Sequence, residues 1–232
     1  MINLADILVL DIETVSAQPN FETLEENWQE LWTMKSTRIA KDKTPSEAYE
    51  RAGIYAEFGK IVCVGVGFYY YEKNILSVKV RSFESEDEKQ LLTELISFLK
   101  KHYNKKEHLL AAHNGKEFDF PYLCRRMIVN GLDIPKILQL SGKKPWEVQH
   151  LDTMELWKFG DFKSYTSLNL LAATLNLDSS KDDISGNQVG KVYYEEHDLD
   201  RISTYCKKDV ALTAKVLAKI TNNEEVKNVE LV

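Results

Sequence analysis

Residues 7–14 read Ile-Leu-Val-Leu-Asp-Ile-Glu-Thr, an aliphatic run that ends in two acidic residues. The run predicts a buried strand over about residues 5–13. Side chains at i and i+2 of a strand point to the same face, so Asp11 and Glu13 should project side by side. Two adjacent carboxylates repel one another, and a bound cation removes that cost. The alternative is a strand that simply emerges into solvent, with both acids hydrated.

Sequence patterns on both sides of this strand alternate between those of strands and those of helices. Residues 61–71 and 75–83 are rich in β-branched and aromatic residues, and Glu72-Lys73-Asn74 between them predicts a hairpin turn. The rest of the chain predicts strands at 109–112 and 149–153, and helices at about 86–101, 119–130, 153–158, 166–176 and 200–220. This order predicts one α/β domain, residues 1–232, with a mixed sheet.

Three stretches fit this scheme less directly. Residues 17–57 hold aromatic residues among many charges and are predicted to form a helical insertion, which beside a site often carries substrate contacts. Residues 178–198 include Ser185-Gly186-Asn187-Gln188 and are predicted to form a loop. Residues 221–232 are polar, and we expect them to be frayed.

The composition of the 232 residues, 44% hydrophobic and 28% charged, is that of a soluble globular protein. No apolar run reaches the ~20 residues that span a membrane, and the N-terminus lacks the basic region of a secretory signal. Cys63, Cys124 and Cys206 stand singly, as in reduced cytosolic proteins, so we expect a cytoplasmic location. The net charge of -6 argues against broad electrostatic binding of nucleic acid but permits a local basic groove.

A third acidic residue, Asp119, lies in residues 113–123, which read His-Asn-Gly-Lys-Glu-Phe-Asp-Phe-Pro-Tyr-Leu. Pro121 suits the first turn of a helix, because its missing N–H would have no partner there. Asp119 could therefore do no more than cap that helix, and Asn114-Gly115 could be no more than a turn.

Tyr205 and Asp209 are four residues apart on the last predicted helix and so share one of its faces. They flank an apolar stripe that we expect to be buried, formed by Ile202, Cys206, Val210, Thr213 and Leu217. Taken alone, Asp209 could be a boundary residue that pairs with Lys208 or Lys215.

Together, four carboxylates and a tyrosine in three separate segments favour a site for divalent cations and phosphoryl chemistry. Hydrolysis of a phosphodiester by two metal ions needs carboxylates from several elements to hold the ions roughly 3.5–4 Å apart. A tyrosine hydroxyl can orient the attacking water by hydrogen bonding.

These segments resemble the motifs of the DEDD superfamily of 3′–5′ exonucleases, in its tyrosine-bearing (DEDDy) branch. Residues 11–14, Asp-Ile-Glu-Thr, resemble the first motif. Residues 114–123 resemble the second motif, in the form closest to that of the exonuclease domains of family B DNA polymerases. Tyr205 with Asp209 resembles the third, whose histidine-bearing variant would need His in place of Thr204.

The resemblance implies a ribonuclease H-like α/β fold, a mixed central sheet flanked by helices, with the site at one sheet edge. It implies two divalent cations, Mg²⁺ or Mn²⁺, whose ligands would be Asp11, Glu13, Asp119 and Asp209. Tyr205 would complete the catalytic set by positioning the attacking water. Thr14 and Asn114 match positions that contact the 3′-terminal nucleotide, and Phe118 is expected in the core.

The sequence thus predicts a stand-alone, metal-dependent 3′–5′ exonuclease that acts on single-stranded nucleic acid, DNA more than RNA. The alternatives are an RNA-directed exoribonuclease and a catalytically silent nucleic-acid-binding module on the same fold. The residues leave open whether a polymerase or repair protein binds in trans.

Other polar residues have less specific interpretations. Asp152 is expected to cap the helix that follows it rather than to approach the metals. Basic residues that could follow a phosphate backbone are Arg38, Lys41, Lys43, Arg51, Lys158 and Lys163. The alternative for these is a solvated helix face in an acidic protein.

Overall fold

The computed structural model describes residues 2–161, 165–177 and 184–232. Its strands are β1 (Ile7–Ser16), β2 (Gly59–Glu72), β3 (Ile75–Glu84), β4 (Leu109–Ala112), β5 (Leu151–Asp152) and β6 (Asn228–Leu231). They form a six-stranded sheet in the order β5-β4-β1-β2-β3-β6. β1 pairs antiparallel with β2 and parallel with β4, so the sheet is mixed. β2 and β3 form the predicted hairpin, in which Lys73 and Asn74 have positive φ angles of 49° and 65°.

Helices cover both faces of this sheet. The α-helices are α1 (Glu26–Ile39), α2 (Pro45–Tyr49), α3 (Glu88–His102), α4 (Asp119–Val129), α5 (Thr153–Lys158), α6 (Leu168–Thr174), α7 (Val189–Lys191) and α8 (Leu199–Asn222). The predicted α/β class, with a mixed sheet flanked by helices, is therefore confirmed. Within the described ranges, no helix combines the length and the apolar character needed to cross a membrane.

Strand β1 is buried on both faces because its side chains alternate between two cores. The residues that join the core with α3 and α4 are Leu8, Leu10 and Ile12. Ile7 and Val9 join the core on the opposite face, together with α8. Asp11 and Glu13 continue this second face, so the alternation of β1 carries both acids toward α8.

Helix α8 lies very close to β2 because two glycines of that strand have no side chain. A Cβ atom added at Gly65 would lie 2.7 Å from Val210 Cγ2 and 2.9 Å from Cys206 Sγ. One added at Gly67 would lie 2.8 Å from Val210 Cγ1. Gly65 pairs with Asp11 across β1 and β2, so the helix approaches the sheet at the level of the first acidic residue.

The prediction of a loop at 178–198 is wrong for its described part. A 3₁₀ turn (Gly186–Gln188), α7 and a π-helical segment (Val192–Glu196) occupy it. Val189 and Val192 are buried there against β1, β2 and α8, a contact that the surrounding polar and turn-forming residues concealed. Residues 178–183 lie outside the described residues.

Residues 221–232 are not frayed as predicted. β6 pairs parallel with β3, and Lys79 Nζ lies 2.7 Å from Glu230 Oε1 across the pair. The side chains of β6 are all exposed, so its composition gave little sign of a strand. Backbone hydrogen bonds to the edge of β3 hold it in place.

Residues 17–57 contain α1 and α2 and have a small core of their own. Trp32 is fully buried in it, and its indole N–H donates to the Pro45 carbonyl at 2.8 Å. The stretch packs against the end of β1 at Gly53, where an added Cβ would lie 2.9 Å from the Val15 carbonyl carbon. The helices predicted for this stretch are therefore present. That the stretch is an insertion into the domain stays a prediction.

Replacing Gly65 by Ala should destabilise the protein, because the new methyl group must push α8 away from β2. We expect the free energy of unfolding, measured by urea denaturation, to fall by about 1–3 kcal/mol, the usual cost of overpacking. Gly190→Ala is the matched control, since nothing lies within 4 Å of a Cβ added there. In a Val210→Ala background, Gly65→Ala should lower the free energy of unfolding by a smaller amount, the difference being ~0.5 kcal/mol or more. If the losses caused by the two changes were strictly additive, the close contact between Gly65 and Val210 would be contradicted.

Candidate active site

Asp11 and Glu13 lie on one face of β1, where Glu13 is buried and Asp11 is half-buried. Burial raises the pKa of Asp11 well above its usual range. The negative charges of Glu13, Asp119 and Asp209 raise that pKa further. The pKa of Glu13 is raised in the same way, by burial first and then by the charges of Asp209 and Asp119. The structure thus brings the four carboxylates close enough to repel one another.

Asp119 is the first residue of α4, and its carboxylate is buried next to β1. Asp119 Oδ1 accepts a hydrogen bond from the Ile12 N–H at 3.1 Å. The paired register of β1 with β4 ends at Val9 and Ala111, before this N–H is reached. Burial raises the pKa of Asp119 to about 7. Asp119 therefore does not cap α4, whose N-cap residue is Phe118, and instead links this helix to the acidic end of β1.

Tyr205 and Asp209 lie on one flank of α8, beside the predicted stripe, whose five residues are all buried. The Tyr205 hydroxyl lies close to the Asp209 side chain. Burial raises the pKa of Tyr205, and the negative charges of Asp209 and the two β1 carboxylates raise it further. Tyr205 therefore keeps its proton at neutral pH and offers a hydroxyl beside four carboxylates.

Cys206 belongs to the same cluster, and the sequence reasoning missed it. Its Sγ lies 3.6 Å from both the carbonyl oxygen and Oδ2 of Asp11. Ligand atoms of Asp11, Glu13 and Cys206 all lie within 4.8 Å of one another. Burial raises the pKa of the Cys206 thiol, so the thiol stays protonated and donates to Asp11. The available signal was its place directly after Tyr205 and three residues before Asp209.

Asn114 lies where the chain leaves β4, with a positive φ of 62°. Its N–H donates to Asp152 Oδ1 at 3.0 Å, and the Lys116 N–H donates to Asp152 Oδ2 at 3.1 Å. Asp152 also accepts from the N–H groups of Met154 and Glu155, so it caps α5 as predicted. Within the described residues, Asn114 Oδ1 is buried without a hydrogen-bond partner. A buried acceptor ordinarily has a hydrogen-bond partner.

Thr14 is half-buried next to the acidic residues of β1. It lies near the Tyr122 hydroxyl, which donates to the Gly53 carbonyl at 2.7 Å. Thr14 therefore lies where the site meets residues 17–57. Phe118 packs partly buried against the core, as expected. Lys163, one of the basic residues singled out above, lies outside the described residues.

A family model of the RNase H superfamily (RNase_H_2) matches residues 49–221, well over half of the chain. The chain belongs to the RNase H superfamily. No curated protein matches the sequence of this RNase H-like protein. Among solved structures, the family B DNA polymerase from the hyperthermophilic archaeon Pyrobaculum calidifontis is similar, with a TM-score of 0.59 and 16% sequence identity. The match covers 92% of this chain and 24% of the polymerase chain, so the chain spans about a quarter of the polymerase's length.

These two matches confirm the predicted resemblance to RNase H-like 3′–5′ exonucleases and the RNase H-like fold. Proteins of this superfamily are generally nucleases. Membership therefore supports a nuclease-type function, and with it the binding of nucleic acid.

The donor set of this RNase H-like site fits divalent cations. The ionised groups that act on Asp11 and Glu13 within the described part of the chain are carboxylates, so a positive charge would relieve their repulsion. Carboxylate oxygens are hard ligands, the kind that Mg²⁺ and Mn²⁺ prefer. RNase H-like nucleases typically use divalent metals, and this acidic cluster is suited to hold them.

Replacing Glu13 by Gln should raise the stability of the metal-free protein, because it removes one of several mutually repelling carboxylates. We expect the free energy of unfolding in EDTA at about pH 8, measured by urea denaturation, to rise by about 1 kcal/mol or more. Glu107→Gln, which neutralises an exposed carboxylate outside the cluster, should change it by less than ~0.5 kcal/mol. A loss of stability on Glu13→Gln would show that like-charge repulsion does not dominate here.

Proposed function

We propose that this RNase H-like protein is a metal-dependent 3′–5′ exonuclease that removes nucleotides from the 3′ end of single-stranded nucleic acid. The observation that carries the proposal is the convergence of four carboxylates, from β1, α4 and α8, beside the Tyr205 hydroxyl. The similarity to a family B DNA polymerase favours DNA over RNA as the substrate.

The four carboxylates are proposed as the ligands of two cations, Mg²⁺ or Mn²⁺. Asp11, Glu13 and Asp209 would hold one cation, and Asp119 together with Asp11 would hold the other. When bound, such cations lower the pKa of water and neutralise the charge that develops on the phosphoryl group.

Tyr205 would position the attacking water. Its raised pKa keeps the hydroxyl protonated, so it acts through hydrogen bonding rather than as a base. Its place next to Asp209 on one flank of α8 sets the hydroxyl beside the carboxylates. The hydroxyl can accept from one group and donate to another at a defined place.

Thr14 and Asn114 would contact the 3′-terminal nucleotide. Thr14 follows the acidic pair on β1, and Asn114 precedes the acidic residue of α4 along the chain. The buried acceptor oxygen of Asn114, unpartnered within the described residues, could accept a hydrogen bond from a sugar hydroxyl.

We also propose that residues 1–232 form one exonuclease domain, in which 17–57 is an insertion, and that the protein works in the cytoplasm. The separate core around Trp32 supports an added unit within the domain. Cys63, Cys124 and Cys206 are free thiols, which suits a reducing compartment.

A 5′-labelled single-stranded DNA oligonucleotide, incubated with the protein and Mg²⁺ or Mn²⁺, should be shortened from its 3′ end, and EDTA should stop the reaction. Asp11→Asn and Asp209→Asn should each lower kcat/KM by a factor of about 100 or more, a loss of ~2.7 kcal/mol of transition-state stabilisation. Glu107→Gln serves as the control and should retain full activity.

Equal trimming by wild type and Asp11→Asn would contradict this assignment. A matched RNA oligonucleotide tests the preference for DNA, and faster cleavage of RNA would favour the exoribonuclease. Binding of oligonucleotides without any cleavage would favour a catalytically silent module.

Tyr205→Phe should lower kcat about tenfold or more while KM stays within about twofold, because the ring remains and only the hydroxyl that positions water is lost. Steady-state kinetics on the same oligonucleotide measures both constants. Tyr71→Phe, which removes an exposed hydroxyl on β2, is the control. An unchanged kcat for Tyr205→Phe would exclude Tyr205 from the chemistry.

A further inference from the structure

Strand β6 lies at one end of the sheet and, among the residues that the structure describes, has a strand partner on one side only. The free side of such a strand exposes backbone N–H and C=O groups, which are a template for pairing with a further strand. All four residues of β6 have exposed side chains. The outer edge of β6 is therefore accessible to a second chain.

β6 lacks the features that most often protect an open edge. Such features are a proline, a β-bulge or an unpaired charge on the strand. Residues 228–231 read Asn-Val-Glu-Leu, and their register with β3 runs without a shift. Glu230 is the charged residue among them, and Lys79 Nζ neutralises it at 2.7 Å. The short length of β6 still limits how strongly it can pair.

One face of β6 carries an apolar row that ends at this open edge. Val229 and Leu231 lie beside Val78 and Val80 of β3, which belong to the core shared with α8. Val229 and Leu231 extend that row beyond the core, and they are 36% and 44% exposed. A second apolar strand alongside β6 would cover them.

The opposite face of β6 is polar, because Asn228 and Glu230 alternate with the apolar residues. The Asn228 side-chain amide donates to Ser77 Oγ at 3.3 Å and has a second N–H. The Glu230 carboxylate, already paired with Lys79, has lone pairs that can accept further hydrogen bonds. This face thus holds a donor and an acceptor two residues apart.

We propose that β6 pairs antiparallel with β6 of a second copy of this chain, across a two-fold axis at Val229. This axis places Val229 opposite Val229 of the second copy, and Asn228 opposite Glu230 of the second copy. Each amide then donates to the facing carboxylate while the two valines pack together. An axis at Glu230 would instead set two carboxylates opposite each other, which is unfavourable. The edge is therefore self-complementary about Val229, as a two-fold dimer requires.

The pairing would join two six-stranded sheets into one continuous sheet. β2 and β3 separate β1 from β6 in each sheet, so the carboxylate clusters of both copies would stay open. The dimer goes beyond the proposed function and does not depend on it. Trimming activity per chain should be the same for monomer and dimer.

Sedimentation equilibrium of the whole protein tests the association. Two short edge strands should bury less than the ~1,200 Å² of a standard interface, so we expect a weak dimer with a Kd of roughly 10–100 µM. The apparent mass should rise with protein concentration from the 26.8 kDa of one chain toward twice that value. A mass that stays at one chain up to about 1 mM protein would overturn the proposal.

Val229→Lys should raise this Kd about tenfold or more, because two like charges would face each other across the axis. The residue is exposed, so the fold should be retained, and urea denaturation checks this. Ile128→Lys, at an exposed apolar residue of α4, is the matched control and should dimerise like wild type. Wild-type dimerisation by the Val229→Lys protein would overturn the proposal, because the dimer would then use another surface.

Mixing two variants tests the register. Fluorescein-labelled Val229→Lys protein, titrated with Val229→Asp protein and followed by sedimentation velocity, should form a heterodimer, because opposite charges then face each other. Its Kd should be about tenfold lower than in the control titration with wild type, where the lysine faces a valine. Equal Kd values in the two titrations would show that position 229 does not face itself, which contradicts the proposed axis.

Discussion

Helix α8 packs on β2 through Gly65 and Gly67, and this contact sets where half of the acidic site lies. Because these two glycines have no side chains, α8 lies directly against β2. Tyr205 and Asp209 of this helix therefore come close to the β1 carboxylates. Burial of the apolar stripe of α8 stabilises that contact, and this gain offsets the repulsion among the acids. The carboxylates are therefore held together by the packing around them rather than by attraction among themselves.

Much of this arrangement could be predicted because it follows from the periodicity of side chains along a single strand or helix. The alternation of β1 placed Asp11 and Glu13 on one face, and the helical spacing of α8 placed Tyr205 and Asp209 on one flank. The partner of Asp119 could not be predicted in the same way. Its hydrogen bond to the Ile12 N–H depends on where β4 stops pairing with β1, which is a property of segments far apart in the chain.

The features that sequence reasoning missed share a dependence on tertiary context. β6 has exposed side chains and is held by the edge of β3. α7 and the π-helical segment after it are anchored by Val189 and Val192, in a core shared with β1, β2 and α8. Cys206 has the character of an ordinary core residue until its distance to Asp11 is known. The sequence also does not predict that the side chains of Phe159 and Trp146 are exposed, since large aromatic residues are mostly buried in folded proteins.

The end of β4 has a consequence for the whole sheet. At Asn114 the left-handed backbone turns the chain away from β1, and beyond Val9 the described residues supply no strand partner on that side. A β-branched residue at position 114 would resist the turn and favour an extended backbone, which could continue the pairing across the acidic end of β1. The short length of β4 thus leaves the acidic end of β1 without a strand partner on this side, within the described residues. In a chain with the same acids and a longer β4, the backbone of β4 would compete with Asp119 for the Ile12 N–H and cover the acidic end of β1.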